Sequence, residues 1–424
     1  MKQKARKRSD HFPKDFFWGA STASHQVEGG THNQWSVWEL GHAAERAAGA
    51  QRRLDWTPAW HNKQLQPAMT QPQNYVSGDG VKHLTRYKED FSIARSLNFN
   101  AFRFGIEWSR IEPQEGQWNQ VALDHYKKYI AELRAQGLEP FLNIWHWTNP
   151  LWFEEKGAFA KRKNLVYFKR FVKKIAEELL DDVTYVLTIN EANSYVTLSY
   201  LNGDWPPQQK NIVTTLRVYY NLAEAHKIAY KVLKKHKSTL QIGVAHQANA
   251  NFAINKNNPL QRLTARLSDY VWDEWFYNRI RRSQDFIGMN HYFTNYWKGV
   301  VFDNPKDTVS DLGWYMEPAR IYDVIMRLSK KYKKPIIITE NGLADATDQH
   351  RQWWLEETIT AMDKALADGA DLRGYLHWSL VDNFEWAEGW WPKFGLVAVD
   401  REHGMKRTVR PSAHWFAERI KQLS

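Results

Sequence analysis

Eight short apolar runs, separated by helical patterns, constrain this sequence more than any other feature. They are "FFWGASTASHQVEG" (16–29), "NAFRFGIEW" (100–108), "EPFLNIWHW" (139–147), "TYVLTINE" (184–191), "QIGVAHQ" (241–247), "DFIGMNHY" (285–292), "PIIITENG" (335–342) and "LRGYLHWSL" (372–380). Runs of β-branched and aromatic residues of this length suit strands buried on both faces. The segments between them carry the helical period. Tyr126, Tyr129, Ile130 and Leu133 mark one face, with Gly137 as the stop; Leu165, Phe168, Val172, Ile175 and Leu179 mark another. Strands alternating with helices predict an α/β fold with a parallel sheet, and eight strands close a single (β/α)8 TIM barrel. No Gly/Ser-rich linker or long repeat interrupts the pattern. Residues 11–424 therefore read as one barrel domain behind a basic N-terminal tail, 1–10, and segment 39–75, which lacks periodicity, reads as a long loop after the first strand.

Composition narrows the chemistry. There is no cysteine, which leaves out disulfides, thiol catalysis and zinc–thiolate sites. The formal charge of +11 raises the question of nucleic acid, but the basic residues are dispersed and do not interleave with aromatics, so no nucleic-acid partner is expected. No run is long enough to span a membrane and no apolar stretch follows the basic start, which points to a cytoplasmic protein without a membrane partner. Aromatic residues are abundant, with 22 Trp, 19 Tyr and 20 Phe, and flat rings stack on sugars as readily as they fill cores.

In a barrel, the site is built at the C-terminal ends of the strands. Two carboxylates stand there: Glu191 in "TINEA" after the fourth strand and Glu340 in "TENG" at the end of the seventh. Either alone reads equally well as a solvated charge or a helix cap. On the fourth and seventh of eight strands they face each other across the mouth. Two opposed carboxylates are what retaining glycoside hydrolysis needs, one as nucleophile and one as acid and then base. His25, His146, His246, His291 and His377 also sit near strand ends, but among Gln26, Trp147 and Trp378 they suit sugar binding or structure better than metal, so no metal or other cofactor is expected.

At these residues the chain resembles the family 1 glycoside hydrolases, the retaining β-glucosidase-like enzymes. The blocks "FFWGASTASHQVEGG", "FRFGIEWSRIEPQEGQWN", "TINEAN", "DFIGMNHYFTNYW", "IIITENGL" and "LHWSLVDNFEWAEGWWPKFGLVAVD" follow one another in the family's order. The resemblance implies roles. Glu340 is the nucleophile, with Arg103 and Tyr292 beside it; a cation and a phenolic donor suit an ionised carboxylate. Glu191 is the acid/base, and Asn190 holds the sugar 2-hydroxyl. Gln26, His146, Trp386 and Glu385 form the hydroxyl-binding set, Glu385 taking the 4- and 6-hydroxyls. Trp378 is the stacking floor, Trp147, Asn290 and Phe394 complete the wall, and Trp314 lines the leaving-group side. Trp390 and Trp391 are read as packing. The implied substrates are small β-glycosides or short β-linked oligosaccharides, with glucosyl, galactosyl or fucosyl groups at the non-reducing end.

The sequence departs from the family's pattern in three places. Ala192 follows the acid where proline is usual, His291 replaces a tyrosine ahead of Tyr292, and the link between the fifth and sixth strands (248–284) is shorter than is typical. That shortening predicts a more open barrel mouth on one side. The competing readings are a non-catalytic sugar-binding relative, which would lack a carboxylate, a thioglucosidase, which would carry glutamine at the acid, and a 6-phospho-β-glycosidase. The last would need serine at 385 and a tyrosine where Phe394 stands; Lys393 alone does not make a phosphate site.

Overall fold

All eight runs form strands: β1 (Phe17–Ser21), β2 (Ala101–Gly105), β3 (Glu139–Asn143), β4 (Tyr185–Asn190), β5 (Gln241–Gln247), β6 (Ile287–Asn290), β7 (Ile336–Asn341) and β8 (Leu372–Trp378). A computed structural model describes residues 11–423, so the basic tail lies outside the described residues. The strands pair in parallel, each with its sequence neighbours, and β8 closes on β1. Helices Gln120–Ala135 and Leu165–Leu179 bury the faces their periodicity marks, and Gly137 stops the first at φ +72°.

Inside the barrel, size is sorted by height. Near the strand starts the rings of Phe17, Phe141, Tyr185 and Phe286 meet at centroid distances of 4.5 to 6.1 Å. They fit because glycines face them: a Cβ on Gly243 or Gly374 would come within 2.9 Å of Phe286 or Phe17. Above this aromatic plug the interior turns polar, with Arg103, Asn190, Asn290 and Thr339 all buried. Polar groups there need partners, and they find them in one another, as described below.

The end of β7 shows how sequence serves the site. Thr339 donates its hydroxyl to Asn290 Oδ1 (2.6 Å), and Asn341 Oδ1 accepts from Trp354 and Tyr375 (3.0 and 3.1 Å). These bonds pin the backbone on either side of Glu340. Gly342 is there for space, since a Cβ would lie 1.8 Å from the Trp378 carbonyl oxygen. Gly342→Ala is therefore expected to destabilise the fold by about 3 kcal/mol or more, as overpacking against backbone does. Chemical denaturation of the purified variant measures it, and an unchanged midpoint would contradict the packing argument.

Segment 39–75 corrects an expectation. It is helical, not a loop: Gln34–Ala48, Ala50–Leu54, Pro58–His61 and Gln66–Met69, then a 3-10 turn over Pro72–Tyr75. Four of its ten buried positions are alanine (Ala43, Ala47, Ala50, Ala59), which gives little hydrophobic contrast but the best helix propensity. Asn33 and Ser36 close a reciprocal capping box at its start. Leu54, Leu65 and Met69 then pack into the cluster that holds Trp378, Trp391 and Phe394. The excursion supports the site from behind.

The short connection from β5 to β6 retains a strand (Ala250–Ala253) and two helices (Pro259–Asp269 and Trp275–Ile280). The strand pairs in parallel with Thr294–Lys298, just after β6, and Val301–Phe302 completes a small sheet on the rim.

Candidate active site

Strands β4 and β7 deliver the two carboxylates to the same chamber. Glu340 is the penultimate residue of β7, Glu191 directly follows β4, and both are buried. Arg103, fully buried on β2, ion-pairs with Glu340 Oε1 and donates to Asn190 Oδ1 (2.7 Å). Asn190 Oδ1 also accepts from Asn290 Nδ2 (3.2 Å), and the same amide donates to Glu191 Oε1 (2.7 Å). One hydrogen-bonded chain thus runs from Glu340 through Arg103, Asn190 and Asn290 to Glu191.

The two acids live in different surroundings. Glu340 faces a cation on one oxygen and the Tyr292 hydroxyl on the other (2.9 Å). Burial and the nearby carboxylates push the Tyr292 phenol well above its usual range, so it stays a donor. Glu191 has only neutral partners, Asn290 on Oε1 and the Ser194 hydroxyl on Oε2 (2.7 Å). Burial, and second to it the charge of Glu340, push Glu191 up to about 8. At neutral pH it holds a proton, while Glu340 is oriented by charge. That is the division an acid and a nucleophile require.

Among the described residues, the buried polar atoms without a protein partner include Gln26 Oε1, His146 Nδ1 and Glu385 Oε2. Gln26 is oriented because its amide nitrogen donates to Asn383 Oδ1 (3.1 Å) and the Phe384 carbonyl (2.7 Å). Burial and the Arg103 charge keep His146 neutral. Arg103 fixes the Asn190 amide, whose nitrogen donates to His146 Nε2 (2.9 Å), so Nδ1 carries the proton and is free to donate. Leaving such atoms unpaired costs about 1–3 kcal/mol each, which a polyhydroxylated ligand would recover. Glu385 is pushed up to about 8, chiefly by burial and then by Glu340 and Glu191.

Aromatic rings wall this chamber. Trp147 donates its indole N–H to the Asn190 carbonyl (2.9 Å), and its ring lies 4.8 Å from Trp386. Trp378 forms part of the cluster with Phe394, and the half-buried Trp314 stands 6.1 Å from Phe394 and 6.0 Å from Tyr292. Trp390 and Trp391 are buried packing residues, Trp390 donating to the Val76 carbonyl (2.9 Å). Of the residues proposed from sequence, Arg103, His146, Asn190, Glu191, Asn290, Tyr292 and Glu340 are joined by hydrogen bonds, and Trp147, Trp314, Trp378, Trp386 and Phe394 by ring contacts to them or to one another.

Other features were not visible in sequence. Trp147, Glu191 and Trp386 hold φ of +75°, +34° and +48°, rare for non-glycine residues and typical of sites held by their surroundings. Ser194 could have been found from its i+3 spacing to Glu191. His25 is not a ligand: it pairs with buried Glu39 (2.7 Å), stacks on Trp386 (5.7 Å) and so braces the indole from behind. His291 donates to the Ala248 carbonyl (2.8 Å), burial holding it neutral at about 4. Ala192 begins the helix after Glu191, the first-turn position that proline tolerates best. Its replacement there leaves the acid's hydrogen bonds in place. Among the described residues no three metal-ligating side chains come together.

Comparison with known proteins gives a family and the same fold. The profile of glycosyl hydrolase family 1 matches residues 8–282 and 273–423, two segments that meet inside the connection between β5 and β6. β-Glucosidase A of Thermotoga maritima is 30% identical, over 97% of this chain and 98% of its own. The structure of a Thermotoga maritima β-glucosidase in complex with glucoimidazole superimposes with a TM-score of 0.85 at 28% identity, covering 98% of this chain and 99% of that one. A β-glycosidase from Pyrococcus horikoshii gives 0.83 at 30% identity, over 97% and 95% of the two chains.

Proposed function

The chain belongs to glycosyl hydrolase family 1, and from that membership we propose that it is a retaining β-glucosidase acting on neutral β-glycosides or short β-linked oligosaccharides. The observation that carries this reading is the pairing of unlike carboxylates on one hydrogen-bonded chain, Glu340 beside a cation and Glu191 buried against the neutral donors Asn290 and Ser194. In the first step a Glu340 oxygen bonds to the anomeric carbon while the bond to the leaving oxygen breaks and Glu191 gives that oxygen its proton. The product is a glycosyl ester on Glu340. In the second step Glu191, now a carboxylate, takes a proton from water, whose oxygen replaces Glu340 on the anomeric carbon. Two inversions give net retention. Proton NMR of an aryl β-glucoside digest tests this: β-glucose must appear first, and α-glucose as the first product would overturn it.

Within this reading, Glu385 sets selectivity. Its unpartnered Oε2 is available as an acceptor, and the family resemblance gives it the 4- and 6-hydroxyls, so a xyloside, which lacks the 6-hydroxymethyl group, is expected to be slower by roughly one to two decades in kcat/KM. Glu385→Ser is expected to narrow that gap. The pH dependence has a sign. Glu385 is neutral below about 8 and charged above it, whereas a phosphomonoester is already a dianion above about pH 6. Preference for glucoside over 6-phosphoglucoside should therefore rise about three- to tenfold between about pH 7 and 9. Titration of Glu191 affects both substrates and cancels in the ratio. Faster wild-type turnover of the 6-phosphoglucoside would reverse this assignment. Galactoside and fucoside in the same panel establish the range of sugars accepted.

A further inference from the structure

The rim beside β6 carries an apolar surface that glycoside hydrolysis does not use. Helix Pro259–Asp269 is turned inside out for a barrel protein. Leu260, Leu263 and Leu267 recur along one face, Val271 continues the row, and they are 54, 55, 52 and 63% exposed. Its other face is polar and holds the helix to the protein. Asn251 donates to Asp269 (2.9 Å) and accepts from Ser268 (3.3 Å), Gln261 accepts from the Asn255 N–H (2.8 Å), and Asp269 meets Arg327 (3.1 Å). Asn258 caps the first turn through the Leu260 and Gln261 N–H groups. The helix is thus fixed without its leucines, which are left facing outward.

A second exposed apolar element stands on the same small sheet. Val300 in the turn after Lys298, and Val301 and Phe302 on the short strand that follows, are 72, 62 and 61% exposed. Ile254, also exposed, joins the two elements: its N–H donates to the Trp297 carbonyl (3.1 Å), and the Trp297 ring lies 5.7 Å from Phe302. Large apolar side chains exposed together on neighbouring elements mark a surface that something covers.

The charges around it favour one kind of cover. Lys256 and Arg262 are exposed and, among the described residues, have no ion-pair partner. Most acids of the segment are ion-paired: Asp269 and Asp273 with Arg327, Glu274 with Arg266 and Lys331, and Asp303 with Lys298 (3.6 Å), while the exposed Lys306 and Asp307 offset each other. The free charge at the rim is cationic, on a chain of +11 overall. Two copies pressing like patches together would repel, whereas an anionic surface attracts. An apolar ridge and turn flanked by free cations is the pattern of a peripheral membrane contact. We propose that this rim docks on an anionic lipid bilayer. No described helix is long and apolar enough to cross a membrane; docking from one side needs none. The proposal departs from the expectation of no membrane partner, which rested on the lack of a spanning run.

Co-sedimentation of the full chain with vesicles tests it, using phosphatidylcholine alone or with about one-third phosphatidylglycerol. Binding is expected to the anionic vesicles and to weaken in about 1 M NaCl, where screening acts over about 3 Å. Leu263→Ser with Leu267→Ser changes no charge and should lower the partition constant about tenfold, as should Val301→Ser with Phe302→Ser on the separate strand. Turnover of a soluble aryl glucoside should be unchanged in both, which reports folding and keeps this test apart from that of the hydrolytic reading. Three results would overturn the proposal. The wild type could ignore anionic vesicles, or both serine pairs could bind as well as wild type, leaving only diffuse charge attraction. Alternatively, sedimentation velocity could show a wild-type dimer that the serine pairs abolish, making the rim an interface between copies.

Discussion

Glu340→Gln is expected to lose turnover of aryl β-glucosides by roughly 10⁴-fold or more, since no other group replaces the nucleophile. The loss should lie in kcat, because the sugar-binding atoms of Gln26, His146 and Glu385 are untouched. Glu340→Ala opens space beside the anomeric carbon. Azide entering there should displace the leaving group of a dinitrophenyl glucoside and give the α-glucosyl azide, the inverted product. Stability bears on how this is read. Arg103 is fully buried, and removing the anionic partner of a buried cation costs about 3–5 kcal/mol. Arg103 retains the Asn190 side chain and the Thr339 carbonyl, so both variants should melt lower yet cooperatively. A circular-dichroism melt separates lost chemistry from lost fold. A folded Glu340→Ala variant with more than a small fraction of wild-type activity would remove Glu340 from the mechanism. As a direct check, a 2-deoxy-2-fluoroglucoside with a good leaving group should label the wild-type peptide that contains Glu340.

How much of this was legible in the sequence depends on what kind of signal each part leaves. Strands such as "PIIITEN" are apolar on both faces because helices cover one side and the barrel interior the other, so their runs stand out at sight. Helix Leu165–Leu179 is equally plain, with Phe168, Val172, Ile175 and Leu179 on one face. The helices after β1 were hidden because several are only four or five residues long and much of what they bury is alanine, which periodicity hardly registers. The carboxylates were found because a charge at the end of an apolar strand is conspicuous. Their supports were not. The pairing of His25 with Glu39 and of Arg103 with Asn190 depends on the folded chain, and the positive φ of Trp147 and Trp386 on close packing. Residue type reveals what a group can do; only the fold shows what holds it in place.

Removing the side chain of Glu191 should separate substrates by leaving group. Glu191→Ala is expected to slow a glucoside of a poor leaving group, such as an alkyl glucoside, by about 10²–10⁴-fold, the usual worth of general acid catalysis. A dinitrophenyl glucoside needs almost no protonation to depart, so its first step should be nearly unaffected and its glycosyl–enzyme should accumulate as a burst. Equal losses across leaving groups would contradict the acid/base role. The pH profile follows from the cause of the shift. Glu191 must be protonated to act, and it is held at about 8, so wild-type glycosylation should fall as pH rises through that range. Burial is the larger cause and the charge of Glu340 the second. Glu340→Gln removes only the second, so Glu191 should then titrate lower while staying above an ordinary carboxylate. Carbon NMR of labelled glutamates reads both values, and an unmoved Glu191 would show that the two acids do not sense each other. The same coupling drives the change of role: once Glu340 is esterified its charge is gone, Glu191 gives up its proton more readily, and the acid of the first step becomes the base of the second.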